Sequence, residues 1–167
     1  MSRRVVSLLF LLILPTVLAC RPAPGGRFAI YLLAQDIAPQ DAAAMDLEAL
    51  PLQDQPLLTS DDFASYRAAT HEIELEASAC QKLQGALPQV ISVRGVPFVV
   101  CVGSQRIYAG AFWTPLSSLS FDGVVIWQPC MAQERTMRIE LGYPSESFFT
   151  GDDPRSDRRI VDALRAA

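Results

Sequence analysis

The stretch that most constrains the fold is VPFVVCVGSQRIYAG, residues 96–110. Val96–Val102 is an apolar run typical of a β-strand, and Gln105–Gly110 is a second run that returns after a two-residue link. Because a type II′ turn needs a positive φ at its first central position, the Gly103-Ser104 link suits a hairpin. The sequence therefore predicts an antiparallel β-hairpin as the centre of the fold.

Other strands are predicted on both sides of this hairpin, from apolar or alternating runs at residues 28–34, 70–76, 124–127 and 137–141. In the run 70–76, His71, Ile73 and Leu75 alternate with three glutamates, which indicates one core face and one solvated face. Residues 35–56 have weak periodicity and predict an irregular connection, with a short strand near Leu47–Leu52.

Three helical segments are predicted. A single turn is expected after the cap residues of Thr59–Asp62, and a short helix is expected at Ala77–Leu87. The C-terminal helix would be capped by Asp153 and begin at Pro154, where a missing N–H costs nothing. Without an internal repeat or a second boundary, the pattern predicts one α+β domain over residues 28–167, with a mostly antiparallel sheet and its helices packed on one face.

The N-terminus has the features of an export signal. Arg3 and Arg4 precede the apolar run Val5–Leu14, which is too short to span a bilayer as a helix, and Ala19 stands before Cys20. This arrangement resembles the lipobox of bacterial lipoproteins, in which the peptide is cut before a cysteine that is acylated. Val17 and Leu18 stand where the usual motif has leucine and a small residue. The alternative is an ordinary secretory signal in which Cys20 carries no lipid.

The lipobox resemblance divides the chain into a signal peptide at residues 1–19, a lipidated Cys20 with a Pro/Gly tether at residues 20–27, and the domain. It implies a lipid, such as palmitate, that fixes the protein to the periplasmic or extracellular face of a membrane. Arg21 follows the anchor, which in bacteria with two membranes resembles the class of lipoproteins sorted to the outer membrane.

The charge balance limits the partners. Cleavage before Cys20 would leave 148 residues with 12 basic and 18 acidic side chains, a net charge of −6. Nucleic-acid affinity comes mainly from neutralising phosphates, so a nucleic-acid partner is not expected. Attraction to anionic lipid headgroups is not expected either, and the membrane link would be the lipid alone.

The remaining cysteines are Cys80, Cys101 and Cys130. In an oxidising compartment one pair of them can form a disulfide, but the spacing does not select the pair. Cys101 lies inside an apolar run and is expected to be buried as a small hydrophobic residue. A zinc site made by these cysteines and His71 is disfavoured because closely spaced ligand pairs are missing, so no metal and no cofactor is predicted.

No catalytic residue is predicted. The only histidine, His71, begins HEIEL, which lacks the second histidine of the zinc-protease motif HExxH. The strand pattern predicts instead a hydrogen-bonded core histidine. Glu72, Glu74 and Glu76 are expected to form a solvated face, and the serines of residues 117–120 lack a GxSxG frame.

Aromatic residues mark a candidate contact surface near the end of the hairpin. Tyr108, Phe112 and Trp113 are predicted to contact a partner, because such side chains bury much area at low entropy cost. The loop WTPLSSLS, residues 113–120, is expected to be exposed. The alternative is that these aromatic side chains fill the core.

Residues 58–126 resemble the small head module in the periplasmic region of the protein-export component SecD. The similarity rests on LTSDDF at 58–63, HEIEL at 71–75 and GVPFVVCVGSQRIYAGAF at 95–112. It covers less than half of the chain and does not include the membrane segments of the export motor. The resemblance implies a non-catalytic envelope module that contacts other polypeptides.

The sequence thus predicts a lipid-anchored, non-catalytic binding or interaction module of the bacterial envelope, whose partners are the membrane, through its lipid, and another envelope protein or peptide. Two alternatives remain: an envelope hydrolase that uses His71, and a lipoprotein that binds a small ligand.

Overall fold

A computed structural model describes residues 26–130 and 134–165. The predicted signal peptide, Cys20 and the tether up to residue 25 lie outside the described residues. The described chain forms one domain built on an eight-stranded, mostly antiparallel, curled sheet with the strand order β2-β1-β5-β6-β7-β8-β4-β3. The strands are β1 (Phe28–Leu32), β2 (Leu58–Thr59), β3 (Phe63–Arg67), β4 (Glu72–Leu75), β5 (Val96–Val102), β6 (Gln105–Trp113), β7 (Phe121–Trp127) and β8 (Thr136–Tyr143).

The predicted hairpin is confirmed as the antiparallel pair β5 and β6. Gly103 has a φ of +61°, which agrees with the positive angle that the turn requires. The next pair, β6 and β7, is parallel, with Trp113 beside Trp127. The connection between these two strands therefore has to run back along the sheet.

The two edge strands of the sheet are consecutive in the chain. A 3-10 turn, Ser60–Asp62, joins β2 at one edge to β3 at the other, and the carboxylate of Asp62 accepts a hydrogen bond from the Thr59 N–H at 2.9 Å. The rings of Phe28 and Phe63 lie 5.6 Å apart. The predicted single turn is thus present, but a strand follows it directly, and this short link curls the sheet on itself.

The α-helices are α1 (Pro39–Ala44), α2 (Ala77–Ala86) and α3 (Arg158–Arg165). None of the helices within the described ranges is long and apolar enough to cross a membrane. Asp153 caps a 3-10 turn at Pro154–Ser156, and the C-terminal α-helix begins only at Arg158. The expected irregular connection at residues 35–56 contains α1, and the expected strand near Leu47–Leu52 reduces to one bridge between Leu33 and Leu52.

The helices pack on both faces of the sheet, so the expectation of one covered face is wrong. Buried residues of α2 and α3 pack in one cluster with Phe98 and Val100, whereas Ala42 of α1 packs in another with Val99 and Cys101. Alternate residues of a strand point to opposite faces. Because β5 is apolar at all of these positions, both of its faces need a cover.

Candidate functional site

An exposed apolar patch lies on two loops, one that leads into β5 and one that follows β6. We call Val93, Leu116 and Leu119 the apolar loop patch; their exposed fractions are 48%, 73% and 43%. Val90, also exposed, precedes Val93 on the same loop. Soluble domains rarely group exposed large apolar side chains without a use for them, which makes the patch the strongest candidate for a binding surface.

Hydrogen bonds hold the two loops together. The buried Ser117 donates its hydroxyl to the Val93 carbonyl at 2.5 Å, and the Leu119 N–H donates to the Ser117 hydroxyl at 3.1 Å. The Tyr143 hydroxyl donates to the Ser117 carbonyl at 2.7 Å. The serine is therefore inside and the leucines are outside, which is the reverse of the usual polarity of a surface loop.

A glutamine at the end of β7 fixes the other part of this surface. The Gln128 side chain donates to the Gln89 carbonyl at 2.6 Å and accepts from the Ile91 N–H at 3.2 Å. The Gln128 N–H donates to the Trp113 carbonyl at 3.0 Å. These contacts hold the loop that follows α2 against the sheet, so the patch is presented by ordered loops.

Trp113, predicted to contact a partner, lies beneath these loops and has no exposed area. Its ring stacks on Phe121, with centroids 5.1 Å apart, and meets Tyr143 at 5.7 Å. Gly95 packs closely against the same ring, because an added Cβ would be 2.6 Å from Trp113 Cζ3. Trp113 therefore supports the patch from below, and the prediction that it is a surface contact is wrong.

Tyr108 and Phe112 are also buried, so neither is a surface contact. Phe112 is on the inner face of the curled sheet, where its ring lies 5.0 Å from Phe98. Burial raises the pKa of Tyr108, and its hydroxyl has no hydrogen-bond partner among the described residues. Leu116 and Leu119, in the loop predicted to be exposed, are exposed as expected. Val93 could not have been found from the sequence, where it is only a valine between two polar residues.

A polar cleft of about 840 Å³ adjoins the patch. It lies between the segment that follows β1 and the segment that leads into β5, and it shares Ser92, Arg94 and Gly95 with the patch loop. Asp36 and Asp41 bring negative charge to its lining, and Arg94 brings positive charge. The cleft therefore offers charges of both signs next to an apolar surface.

His71 lies in the turn between β3 and β4, not on a strand facing the core as predicted. Its φ of +51° places it in the left-handed region, which histidine adopts more readily than most residues. It is half-buried, and its Nδ1 is buried with no hydrogen-bond partner among the described residues. The alternating pattern failed here because the strand begins at Glu72, one residue later.

The surroundings of His71 disfavour its protonation. Burial lowers the pKa of His71 most, and the nearby Arg155 lowers it further, while Asp153 acts in the opposite sense. Arg155 is held by both carboxylate oxygens of Asp153, at 2.9 and 2.8 Å, and donates to the Ile139 carbonyl at 3.0 Å. The Ile139 N–H in turn donates to the His71 carbonyl at 3.0 Å. Asp153 is thus committed to Arg155 and does not orient the imidazole as a base.

The cysteines divide into a bonded pair and a buried thiol. Cys80 on α2 forms a disulfide with Cys130, which follows β7. Cys101 is free and buried beneath α1, and burial raises its pKa to about 11. A neutral thiol without solvent access is a poor nucleophile.

The three glutamates of residues 72–76 do not form a shared site. Glu74 and Glu76 are exposed, whereas Glu72 forms ion pairs with Arg67 and Arg138. The hydrogen bond from Arg138 lowers the pKa of Glu72 most, the hydrogen bond from the Thr70 hydroxyl lowers it next, and the charges of Arg138 and Arg67 lower it further. In the part of the chain that the structure describes, no group of three or more His, Cys, Asp or Glu side chains is arranged to hold a metal ion.

Comparisons with models of protein families, with curated proteins and with solved structures found no match. The resemblance of residues 58–126 to the SecD head module therefore stays a prediction.

Proposed function

We propose that this protein is a non-catalytic, lipid-anchored binding module of the bacterial envelope. An acyl chain on Cys20 would hold it at the periplasmic or extracellular face of a membrane, and in the outer membrane where the cell has two. The apolar loop patch would bind another envelope protein or peptide. The observation that carries the proposal is the exposure of Val93, Leu116 and Leu119 on two loops that Ser117 ties together.

The arrangement of the cysteines supports the location. A disulfide between Cys80 and Cys130 fits an oxidising compartment outside the cytosol. Since Cys101 is buried, the described chain offers no accessible thiol with which Cys20 could pair. This favours a lipid over a disulfide at Cys20.

The surroundings of His71 support a non-catalytic role. A hydrolase that used this imidazole would need a nucleophile or an acid within hydrogen-bond reach. Across the described ranges, no serine or cysteine donates a hydrogen bond to His71, and its acidic neighbour Asp153 is engaged by Arg155.

Metabolic labelling with a tagged fatty acid tests the anchor. We expect the wild type to take up the label and to fractionate with membranes, and Cys20→Ser to lose both properties. Cys101→Ala is the matched control and should keep the label, because the buried thiol is not a site of acylation. An unlabelled wild type, or a Cys20→Ser variant that stays with the membranes, would contradict the anchor.

In-cell crosslinking followed by a pull-down tests the patch. We expect Leu116→Ser combined with Leu119→Ser to reduce the partner adduct while leaving the denaturation midpoint nearly unchanged. Phe148→Ser is the control, since Phe148 is an apolar residue outside the patch that is as exposed as Leu119. Equal loss of the adduct in the control would show that general surface hydrophobicity, and not the patch, captures the partner.

A second candidate function is small-ligand binding, which the polar cleft of about 840 Å³ favours because a volume of this size accommodates a small molecule. Arg94→Ala should then weaken a ligand found by thermal-shift screening, whereas Leu116→Ser should not.

A further inference from the structure

The C-terminal segment lies across the inner side of the curled sheet. We call residues 153–165 the C-terminal strap; it contains the 3-10 turn Pro154–Ser156 and α3. Ile160 and Leu164 of α3 are buried in the inner core cluster, and the helix packs against β1 and β5. Arg155, three residues before the helix, is bound to β8. The strap therefore joins separate parts of the curled sheet.

Polar contacts hold the beginning of the strap. The Arg155 side chain is largely buried, and both carboxylate oxygens of Asp153 accept hydrogen bonds from its guanidinium. Nη1 of Arg155 also donates to the Ile139 carbonyl, at 3.0 Å. Because the strap has no buried residue before Ile160, this bond is the main attachment of its first turn to the sheet.

His71 meets the strap at the same residue of β8. In an antiparallel pair, opposite residues exchange two backbone hydrogen bonds. The Ile139 N–H does donate to the His71 carbonyl, at 3.0 Å, but the Ile139 carbonyl accepts from Arg155. The left-handed φ of +51° at His71 ends the strand and leaves this second position to the guanidinium. The turn that carries the imidazole and the residue that holds the strap are therefore neighbours.

The surroundings of His71 suit a neutral imidazole. Its Nδ1 is buried and has no hydrogen-bond partner within the described part of the chain. A protonated imidazole carries an N–H on both ring nitrogens, so protonation would bury an unsatisfied donor and place a second cation near Arg155. The lowered pKa of His71 has the same causes, burial first and the charge of Arg155 second, with Asp153 acting in the opposite sense.

The elements around His71 carry other ionisable groups. They are Tyr66 and Arg67 on β3, Glu72 on β4, Tyr108 on β6, Arg138 and Glu140 on β8, Glu146 ahead of the strap, and Asp153, Arg155 and Arg165 within it. Burial raises the pKa of Tyr66 and of Tyr108, and the hydrogen bond from Arg155 holds the pKa of Asp153 below its usual range. These three groups therefore keep their charge state between pH 7.5 and 5.5, the interval in which an ordinary histidine titrates.

We propose that the C-terminal strap is a pH-controlled latch, which stays on the sheet while His71 is neutral and is released when His71 becomes protonated. Release removes the charge of Arg155 from the imidazole, opens Nδ1 to water and uncovers Ile160 and Leu164. Apolar burial favours the docked strap and the proton favours the released strap, so pH sets the balance between them. Because the pKa of His71 is lowered in the docked state, docking is fully stable above about pH 6.5 and weakens as the pH falls below that value.

Hydrogen exchange of the full mature chain at pH 7.5 and 5.5, corrected for the intrinsic exchange rates, tests the latch. We expect the protection of the α3 amides to fall several-fold, and at most about tenfold, because an imidazole with a pKa of about 6.5 that is protonated only after release shifts the opening equilibrium by that factor. At pH 5.5, α3 should exchange faster than the central strand β5 and respond less to low concentrations of urea, since release of the strap exposes little surface. Unchanged protection of α3 between the two pH values would overturn the proposal. Equal protection and equal urea dependence in α3 and β5 would also overturn it, because α3 would then open only with the whole domain.

Three variants locate the response. His71→Asn, which suits the left-handed backbone and carries no charge, should abolish the pH dependence of α3 protection. Arg155→Gln should lower this protection already at pH 7.5, because the bond to the Ile139 carbonyl is lost. Asp162→Asn is the matched control, since this exposed carboxylate pairs with Arg158 on the solvent side of α3, and it should keep the wild-type response. A pH response that persists in His71→Asn or disappears in Asp162→Asn, or an Arg155→Gln strap as protected as the wild type, would contradict the latch.

Discussion

Removal of the disulfide by Cys80→Ala combined with Cys130→Ala should lower the free energy of unfolding substantially. The bond closes a loop between residues 50 positions apart, so its loss restores about 14 cal/mol/K of entropy to the unfolded chain, or about 4 kcal/mol at 25 °C. Such a change is a large share of the stability of a single domain. It corresponds to a decrease of roughly 10 °C in the melting temperature.

Urea denaturation followed by tryptophan fluorescence measures this loss, because Trp113 is buried and stacked on Phe121. The midpoint should fall and the denaturant slope should rise, since the unfolded chain without the cross-link exposes more surface. Wild-type protein unfolded in the presence of a dithiol reductant should reproduce the variant. Cys101→Ala is the control, because it removes a buried sulfur without opening a loop and should cost only about 1 kcal/mol.

The expected loss of stability comes from the greater conformational entropy of the unfolded chain. A decrease of less than about 1 kcal/mol in both the double variant and the reduced wild type would show that the cross-link constrains little chain entropy. A large decrease in the variant alone would instead assign the effect to packing around Cys80 and Cys130, which both contact the inner core cluster.

Three further predictions follow from the packing and the charges. Trp113→Ala should lower the free energy of unfolding, measured by urea denaturation, by about 3–5 kcal/mol, because the ring is fully buried. Leu116→Ser should change it by less than about 0.5 kcal/mol. Similar losses for both variants would contradict the assignment of Trp113 to the core. Gly95→Ala should lower the melting temperature, because φ is +80° and the new Cβ would collide with the Trp113 ring, and an unchanged value would show that the ring can move. Because burial and then Arg155 hold the pKa of His71 below 6.5, the unfolded chain takes up a proton first as the pH falls below about 6.5, and stability falls with it. His71→Asn removes the only histidine, and asparagine suits the left-handed backbone at this position. The denaturation midpoint should therefore change less between pH 7.5 and 5.5 in this variant than in the wild type. Equal changes in the two proteins would refute this linkage.

Features of the fold that depend on a few neighbouring residues were predictable from the sequence. The turn at Gly103 and the helix that begins at Ala77 are local, and the structure confirms both. The disulfide was not predictable, because pairing across 50 positions depends on where α2 meets the end of β7. The position of His71 was missed because alternation does not reveal where a turn ends and a strand begins.

The position of α1 shows a second limit of prediction from the sequence. The apolar residues of β5 have no polar face, so their pattern indicates burial on both sides but does not say what covers each side. The weakly periodic segment 35–56 supplies that cover through Ala42, a residue that carries almost no pattern of its own.

The inverted burial of Trp113 and Leu116 follows from the geometry of one connection. Trp113 pairs with Trp127 in a parallel arrangement, so the chain must return to the start of β7 at Phe121, whose ring stacks on Trp113 with the centroids 5.1 Å apart. The loop of residues 114–120 begins this return with a tight turn, in which the Ser117 N–H donates to the Thr114 carbonyl at 3.2 Å. The turn carries Ser117 inward, where its hydroxyl donates to the Val93 carbonyl at 2.5 Å, and it leaves Leu116 and Leu119 outside. The loop at the same time covers the Trp113 ring. The most hydrophobic residue of the region therefore becomes the floor of the surface, and the leucines above it become the candidates for contact with a partner.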